Sequence, residues 1–345
     1  MLHIRATASC VPDAMTFRAV QAQEKNMGYG HLLYKAAAFA LPRGRGKLHS
    51  EEEQRLLPSA SIALPVALAS QSAADMALAA VAQLQRQVPD ALATVTHIVV
   101  TNAALNQRIN ESVAGRIQHS LKAHQALPFA IGQSGTAGVF NALMIIEALV
   151  KQNARVLLVA SDKWLYPFFR SWGDLVAFGD GAAAILLDGD DATVSSQGMI
   201  HACAMHYGPA IDNPWQLSPA ALADKLHPLA VNAIRAVLDR CGYTSGDIDW
   251  VLPAGFSDSF TLGVSHALGM TAEQHFKPNV CAHQSSAGPL LALQHLQTSL
   301  PAGQTATALL WDAALCGSAG AMVVKLKGCA AAATAQLSGK HHVSL

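Results

Sequence analysis

The chain is poor in charge and in aromatic rings: Asp, Glu, Lys and Arg make up 13% of its 345 residues, and Phe, Trp and Tyr 6%. Acidic and basic residues balance at 23 each. No net field therefore draws the chain to nucleic acid or to an anionic membrane, and neither is expected as a partner. No run approaches the roughly 18 uninterrupted apolar residues of a membrane span. The start, MLHIRATASCVPDAM, lacks a basic region leading into a long apolar one, so it does not read as a secretory signal and a cytoplasmic location is the expectation. The six cysteines, at 10, 203, 241, 281, 316 and 329, show no CxxC spacing. That argues against a zinc site or a disulfide framework and predicts buried free thiols. The 15 histidines form no HxxxH or HExxH pattern, and no GxxxxGK[ST] loop is present, so neither a metal nor a bound nucleotide cofactor is expected.

What is present is apolar bulk. A hydrophobic fraction of 51% over this length suffices for a large core, in two domains or one doubled domain. Strand-like runs (HIVV from His97, RVLLVAS from Arg155, AAAILLD from Ala182) alternate with helical stretches such as Ala73 to Arg86 and Gly138 to Lys151, a layered α/β pattern. After a polar crossing near Asp188 to Met199 the order recurs. The helix LADKLHPLAVNAIRAVLDRCG is followed by strand DWVLPAG, helix FTLGVSHALGM, helix AGPLLALQHLQTSL, strand TATALLW and strand AMVVKL. The ends of the halves match as strand, glycine turn, strand (LVAFGDGAAAILL and LCGSAGAMVVKL), so a duplicated core is implied. The halves are read as residues 1–190 and 195–327. A polar insertion interrupts the first around 28–57, and a mobile tail is expected over 328–345.

One segment, Ile131 to Asp188, combines a small-residue turn (IGQSGTAG), an apolar helix (VFNALMIIEALV), a strand and the turn FGDGA at Phe178 to Ala182. With DWVLP and SSAGPLLAL it resembles the ketoacyl synthase III type of the thiolase superfamily, and the resemblance spans residues 1 to 327. It implies an α/β thiolase fold, a duplicated five-layered α-β-α-β-α core, and a homodimer or a heterodimer with a ketosynthase-like subunit. It also implies an acyl-CoA or acyl carrier protein partner, with a coenzyme A or phosphopantetheine thioester as substrate and no bound cofactor. In that family a cysteine at a helix start accepts the acyl group, while a histidine and an asparagine stabilise the condensing partner.

Carried over position by position, the family residues are replaced. Thr136 stands at the cysteine's place, Ala254 follows Trp250 to Pro253 where the histidine belongs, and His283 opens HQSSAGPLLAL where the asparagine belongs. The late hairpin reads AALCGSAG, with Leu315 and Cys316 where smaller residues are expected. A threonine hydroxyl is a weak nucleophile without a base beside it, so Thr136 is either an acyl acceptor activated by His283 or a buried helix-start residue whose hydroxyl caps the backbone. His283 is either a general base or a loop histidine satisfied by backbone partners. Ser285 and Ser286 read as small packing or capping residues, or as donors near the site. Ser134 does not meet G-x-S-x-G and reads as a turn residue. Arg43 and Arg45, with Lys47, suit a substrate phosphate; beside Glu51, Glu52 and Glu53 they also suit a solvated loop. The two activities in view are an acyltransferase without a cysteine nucleophile, serving polyketide, fatty-acid-type or other secondary metabolism, and a catalytically silent subunit paired with an active relative.

Overall fold

The structure, a computed structural model, describes residues 1–20, 62–68, 70–104, 111–164, 170–189, 195–211, 214–277, 282–329 and 335–336. Arg43, Arg45, the rest of the 28–57 insertion and Cys281 lie outside the described residues. The first half contributes strands β1 (Leu2–Val11), β2 (His97–Thr101), β3 (Leu127–Ile131), β4 (Val156–Asp162) and β5 (Gly181–Asp188). They lie in the order β3-β2-β4-β5-β1, with β2 parallel to β3 and β4 and the other pairs antiparallel. The second half contributes β6 (Gly198–Tyr207), β7 (Trp250–Pro253), β8 (Thr305–Ala314) and β9 (Ser318–Lys327). Their order β7-β8-β9-β6, one parallel pair followed by antiparallel ones, repeats β2-β4-β5-β1. The two sets join where Leu2–Ile4 pairs antiparallel with Gly198–Ile200. From the expected tail, Ala335 and Gln336 pair in parallel with Cys10 and Val11.

Alternation along each strand sorts the side chains into layers, because successive residues face opposite sides of a sheet. In β4, Val156, Leu158 and Ala160 enter a central core, and Leu157 and Val159 an outer one. In β8, Ala306, Ala308 and Leu310 face the central core while Leu309 and Trp311 face away. Register shifts after Ile4 in β1 and after Ile200 in β6 exchange the faces midway along both strands, as a one-residue slip must.

The central layer consists of helices α3 (Gly138–Val150) and α6 (Gly288–Ser299), which share one core with both sets of strands. A helix buried on most sides is expected to be largely apolar; GVFNALMIIEALV is, whereas GPLLALQHLQTS also buries Gln294 and Gln297. Outside the first half lie α1 (Ala73–Gln87) and α2 (Val113–Leu121). Outside the second lie α4 (Pro219–Cys241) and α5 (Asp258–His266). The layering is α-β-α-β-α, the doubled core that the two matching halves imply.

The sequence reading missed β1, β3 and β6. It also took every cysteine as buried, and that needs correction. Cys10 and Cys203 are buried, Cys241 and Cys329 are partly so, and Cys316 is exposed because it occupies the tip of the β8–β9 hairpin. Among the described residues no helix is long and apolar enough to cross a membrane, and no group of three His, Cys, Asp or Glu could hold a metal ion.

Candidate functional site

The two central helices open in the same way. Gly135–Ala137 forms a 3-10 turn into α3, Ser285–Ala287 forms one into α6, and the two turns pack against each other. Each turn begins in the left-handed region. Gly135 has φ 56°, and a Cβ there would lie 2.6 Å from that of Ala314, so only glycine fits. Its counterpart Ser285 adopts φ 48° with a side chain, a strained conformation of the kind that collects at functional sites. No side chain caps α3 or α6.

Two aspartates stand at matching places in the two sets of strands. Asp162 ends β4 and pairs with Gly181; Asp312 lies in β8 and pairs with Gly320. They are equivalent in the two halves, and both share the strand face directed at the central helices. Asp162 is saturated: Oδ1 accepts from the amides of Ala103 and Ala104 at 2.8 and 2.7 Å, and Oδ2 from the amide and hydroxyl of Ser286 at 2.9 and 2.5 Å. Burial nonetheless pushes its carboxyl above the usual range, against the pull of those four donors.

Around Asp312 the arrangement is different. Thr136, the counterpart of Ser286, is 4% exposed, and its Oγ1 has no hydrogen-bond partner, so it does not cap the helix. Asp312 Oδ1 accepts from the Ala313 amide at 2.6 Å and pairs with His283 Nε2 at 2.9 Å, while Oδ2 has no partner. Buried polar atoms are rarely left unpaired. Here Thr136 Oγ1, Asp312 Oδ2, His283 Nδ1 and Ser285 Oγ all are.

His283 is fully buried and sits just before the α6 turn. Its main chain is fixed on both sides, its amide donating to Ala177 O and its carbonyl accepting from Gly179, each at 2.9 Å. Its ring lies 5.0 Å from Phe178 and 5.3 Å from Phe256. The turn FGDGA builds this seat. Asp180 is buried against Arg170 at 2.9 Å and accepts the amides of Ala67 and Trp164, while Gly179 lies where a Cβ would strike Pro65.

The other sequence-predicted residues are distributed as follows. Ala254 is buried just beyond β7, beside Gly288 and His283. Leu315 packs on the outer core of the second half, and Cys316 Sγ lies 3.3 Å from where a Gly135 Cβ would be. Ser134 accepts from Asn141 Nδ2 at 2.9 Å, as a turn residue. Sequence reasoning missed Asp312. The available signal was a carboxylate inside an apolar strand, ALLWDAA, which is costly unless paired. It also missed an open groove of about 610 Å³ between α4, α5 and the loop Gly173 to Leu175, lined in part by Asp174, Asp224, His227, Ser257 and Phe260. The Phe260 ring stands 5.0 Å from that of Phe256, so two aromatic rings separate this groove from His283.

No protein-family profile matches the chain. The β-ketoacyl-[acyl-carrier-protein] synthase III of Cereibacter sphaeroides is 28% identical over 204 residues, 53% of this chain and 61% of the relative; the match thus spans under two thirds of that relative's length. Among solved structures, the acyltransferase ChlB3 superposes with a TM-score of 0.72 at 20% identity, covering 95% of this chain and 98% of the other. The 3-oxoacyl-[acyl-carrier-protein] synthase III of Aquifex aeolicus gives 0.68 at 17% identity over 94% and 100%. A priming β-ketosynthase of a polyketide pathway gives 0.67 at 18% identity over 95% and 97%. The chain thus shares the fold of these ketoacyl synthase III-type structures and resembles one such synthase in sequence over about half its length.

Proposed function

We propose that the chain transfers an acyl group from a coenzyme A or carrier-protein thioester to a small acceptor, without an acyl-cysteine intermediate, in polyketide- or fatty-acid-type biosynthesis. The observation that carries this reading is the buried His283–Asp312 pair, with His283 Nδ1 unpartnered just before the α6 turn and Thr136 Oγ1 unpartnered on the α3 turn that packs against it. Polar atoms kept dry and unpaired are costly, and a reacting group that takes them up accounts for their retention. The uncapped start of α3 would hold the thioester oxyanion on its amides, and His283 would move the proton. The relatives support the class of chemistry, one being named an acyltransferase and others synthases acting with an acyl carrier protein.

A second reading has its own support. His283 is wholly enclosed and no cysteine stands at the α3 turn, as suits a silent subunit that shapes an active partner's pocket. Incubating the purified chain with acyl-CoA and acyl-carrier panels, alone and with any co-purifying subunit, separates the two. Turnover by the isolated chain that drops about a hundredfold in His283→Ala supports acyl transfer. An inert isolated chain, with complex activity indifferent to His283→Ala, supports the silent subunit.

A further inference from the structure

His283 is wholly enclosed yet carries an unpartnered nitrogen, so any molecule that reaches Nδ1 from solvent has to pass a wall. Two aromatic rings flank the imidazole, Phe178 at 5.0 Å and Phe256 at 5.3 Å. They are backed differently. Against Phe178 lies the indole of Trp164, stacked at 4.5 Å and 8° from parallel, with the Trp172 ring edge-on at 6.2 Å. Against Phe256 lies Phe260 at 5.0 Å, and Phe260 is itself a wall of the open groove of about 610 Å³. Ser257, the next residue after Phe256, lines the same groove.

The main chain around Phe256 is held at three successive residues. Gly255 has φ 101°, and a Cβ there would come within 2.8 Å of the amide nitrogen and Cα of His283. Phe256 forms an antiparallel bridge with Val176, the Ser257 amide donates to Leu175 O at 2.8 Å, and the Ser257 side chain caps α5. A backbone fixed in this way leaves the two torsions of the phenyl side chain as the soft coordinates. Packed side chains still hop between rotamers, and the groove supplies open volume on the side of Phe256 where its neighbour Phe260 stands.

We infer that Phe256 controls access to His283 from the groove; this rests on the acyl-transfer reading above in taking His283 as the group to be reached. With the ring as it stands the way is shut, and a turn of the ring opens it while the strand ends and the α5 cap stay in place. Phe178, stacked on Trp164, is the fixed wall on the other side of the imidazole.

The test labels the full-length chain with diethyl pyrocarbonate, which carbethoxylates a free imidazole nitrogen, and follows His283 and the exposed His124 by peptide mass spectrometry. In the wild type His283 reacts about a hundredfold or more slowly than His124, at the rate set by the opening that uncovers it. Phe256→Ala raises the His283 rate by about tenfold or more and leaves His124 unchanged. Phe256→Leu, which keeps an apolar side chain in the core, raises it less. Gly263→Trp fills the groove from α5, where a Cβ would meet the His227 ring at 3.8 Å, an ordinary contact; it slows His283 in the wild type and cancels the gain from Phe256→Ala. A His283 rate that is indifferent to folded Phe256→Leu, or to Gly263→Trp, overturns the inference. Turnover of butyryl-CoA by the same variants tells the two readings apart. Labelling as expected without turnover counts against acyl transfer and leaves the control of access standing, whereas turnover with labelling indifferent to Phe256 does the reverse.

Discussion

At the scale of single residues, the equivalence of Asp162 and Asp312 separates structural work from chemistry. Asp162 answers four donors from two loops. Removing it orphans them together, at about 1–3 kcal/mol for each buried group left unsatisfied. Asp162→Ala should therefore lose upwards of about 3 kcal/mol in chemical denaturation, and more than Asp312→Ala, whose Oδ1 answers two donors and whose Oδ2 answers none. Equal losses would mean that Asp312 is a second structural clasp. The thiols divide in a similar way. Burial pushes the Cys10 thiol up to about 11 and that of Cys203 higher still, whereas Cys316 stands exposed beside the Thr136 turn. Iodoacetamide should label Cys316 well before either of these, because only the thiolate reacts. Intact mass after acyl-CoA treatment should nevertheless show no cysteine adduct. A stoichiometric adduct on Cys316 would move the nucleophile to the hairpin tip and end the direct-transfer account.

At the scale of elements, α1 shows how a helix end sets acid sensitivity. Ser72 and Asp75 form a reciprocal capping box, and Arg116 from α2 lies 3.0 Å from Asp75. Partial burial pushes the Asp75 carboxyl up, but the Ser72 amide and hydroxyl and the Arg116 guanidinium outweigh it and hold it below the usual carboxylate range. A depressed folded-state pKa contributes stability that is present above the unfolded value and lost as pH falls through the folded one. Protection of the first turn of α1 in hydrogen exchange should accordingly fall below about pH 4. Ser72→Ala should cost about 1 kcal/mol at neutral pH and flatten that acid response; an unchanged response would exclude the box as its cause. The elements legible in the sequence were those with long unbroken apolar runs, such as β4, β5 and α3. The missed strands break that rule for identifiable reasons. β1 carries Arg5, which is buried against Asp188 at 2.6 Å and the Gly189 carbonyl at 3.1 Å. β3 reads LPFAI, and as an edge strand it tolerates proline. β6 is half-buried and mixes His and Met with small residues. The turns holding Thr136, His283 and Ser285 could be read from the family pattern. The partnership of His283 with Asp312 could not, since it joins positions 29 residues apart through a strand register that becomes visible only once the halves are folded.

At the scale of the whole molecule, the sheet ends abruptly at β3, which has no neighbour on its outer side among the described residues. Leu127 on that strand is 58% exposed, and α3, packed beside it, exposes Met144 and Ile145 at 42% and 44%. Tyr207 at the end of β6 continues the patch, its hydroxyl donating to Asn141 Oδ1 of α3 at 2.6 Å. An uncovered apolar edge strand beside an uncovered apolar helix face is a liability in an isolated chain. Pairing β3 with a second β3 about a two-fold axis would cover both and extend the sheet through the dimer, with the same patch used on each side. We expect a homodimer by light scattering at micromolar concentration. Leu127→Asp combined with Ile145→Asp should give a monomer with unchanged far-ultraviolet circular dichroism, because both positions are already solvent-exposed and the core is untouched. The consequence for activity follows from connectivity. β3 leads through six residues into α3, and Thr136 is one of them, so loosening the edge should weaken acyl transfer in the monomer as well. A wild-type chain that is monomeric, or a double variant that still dimerises, would show that a different surface or a different subunit covers this face.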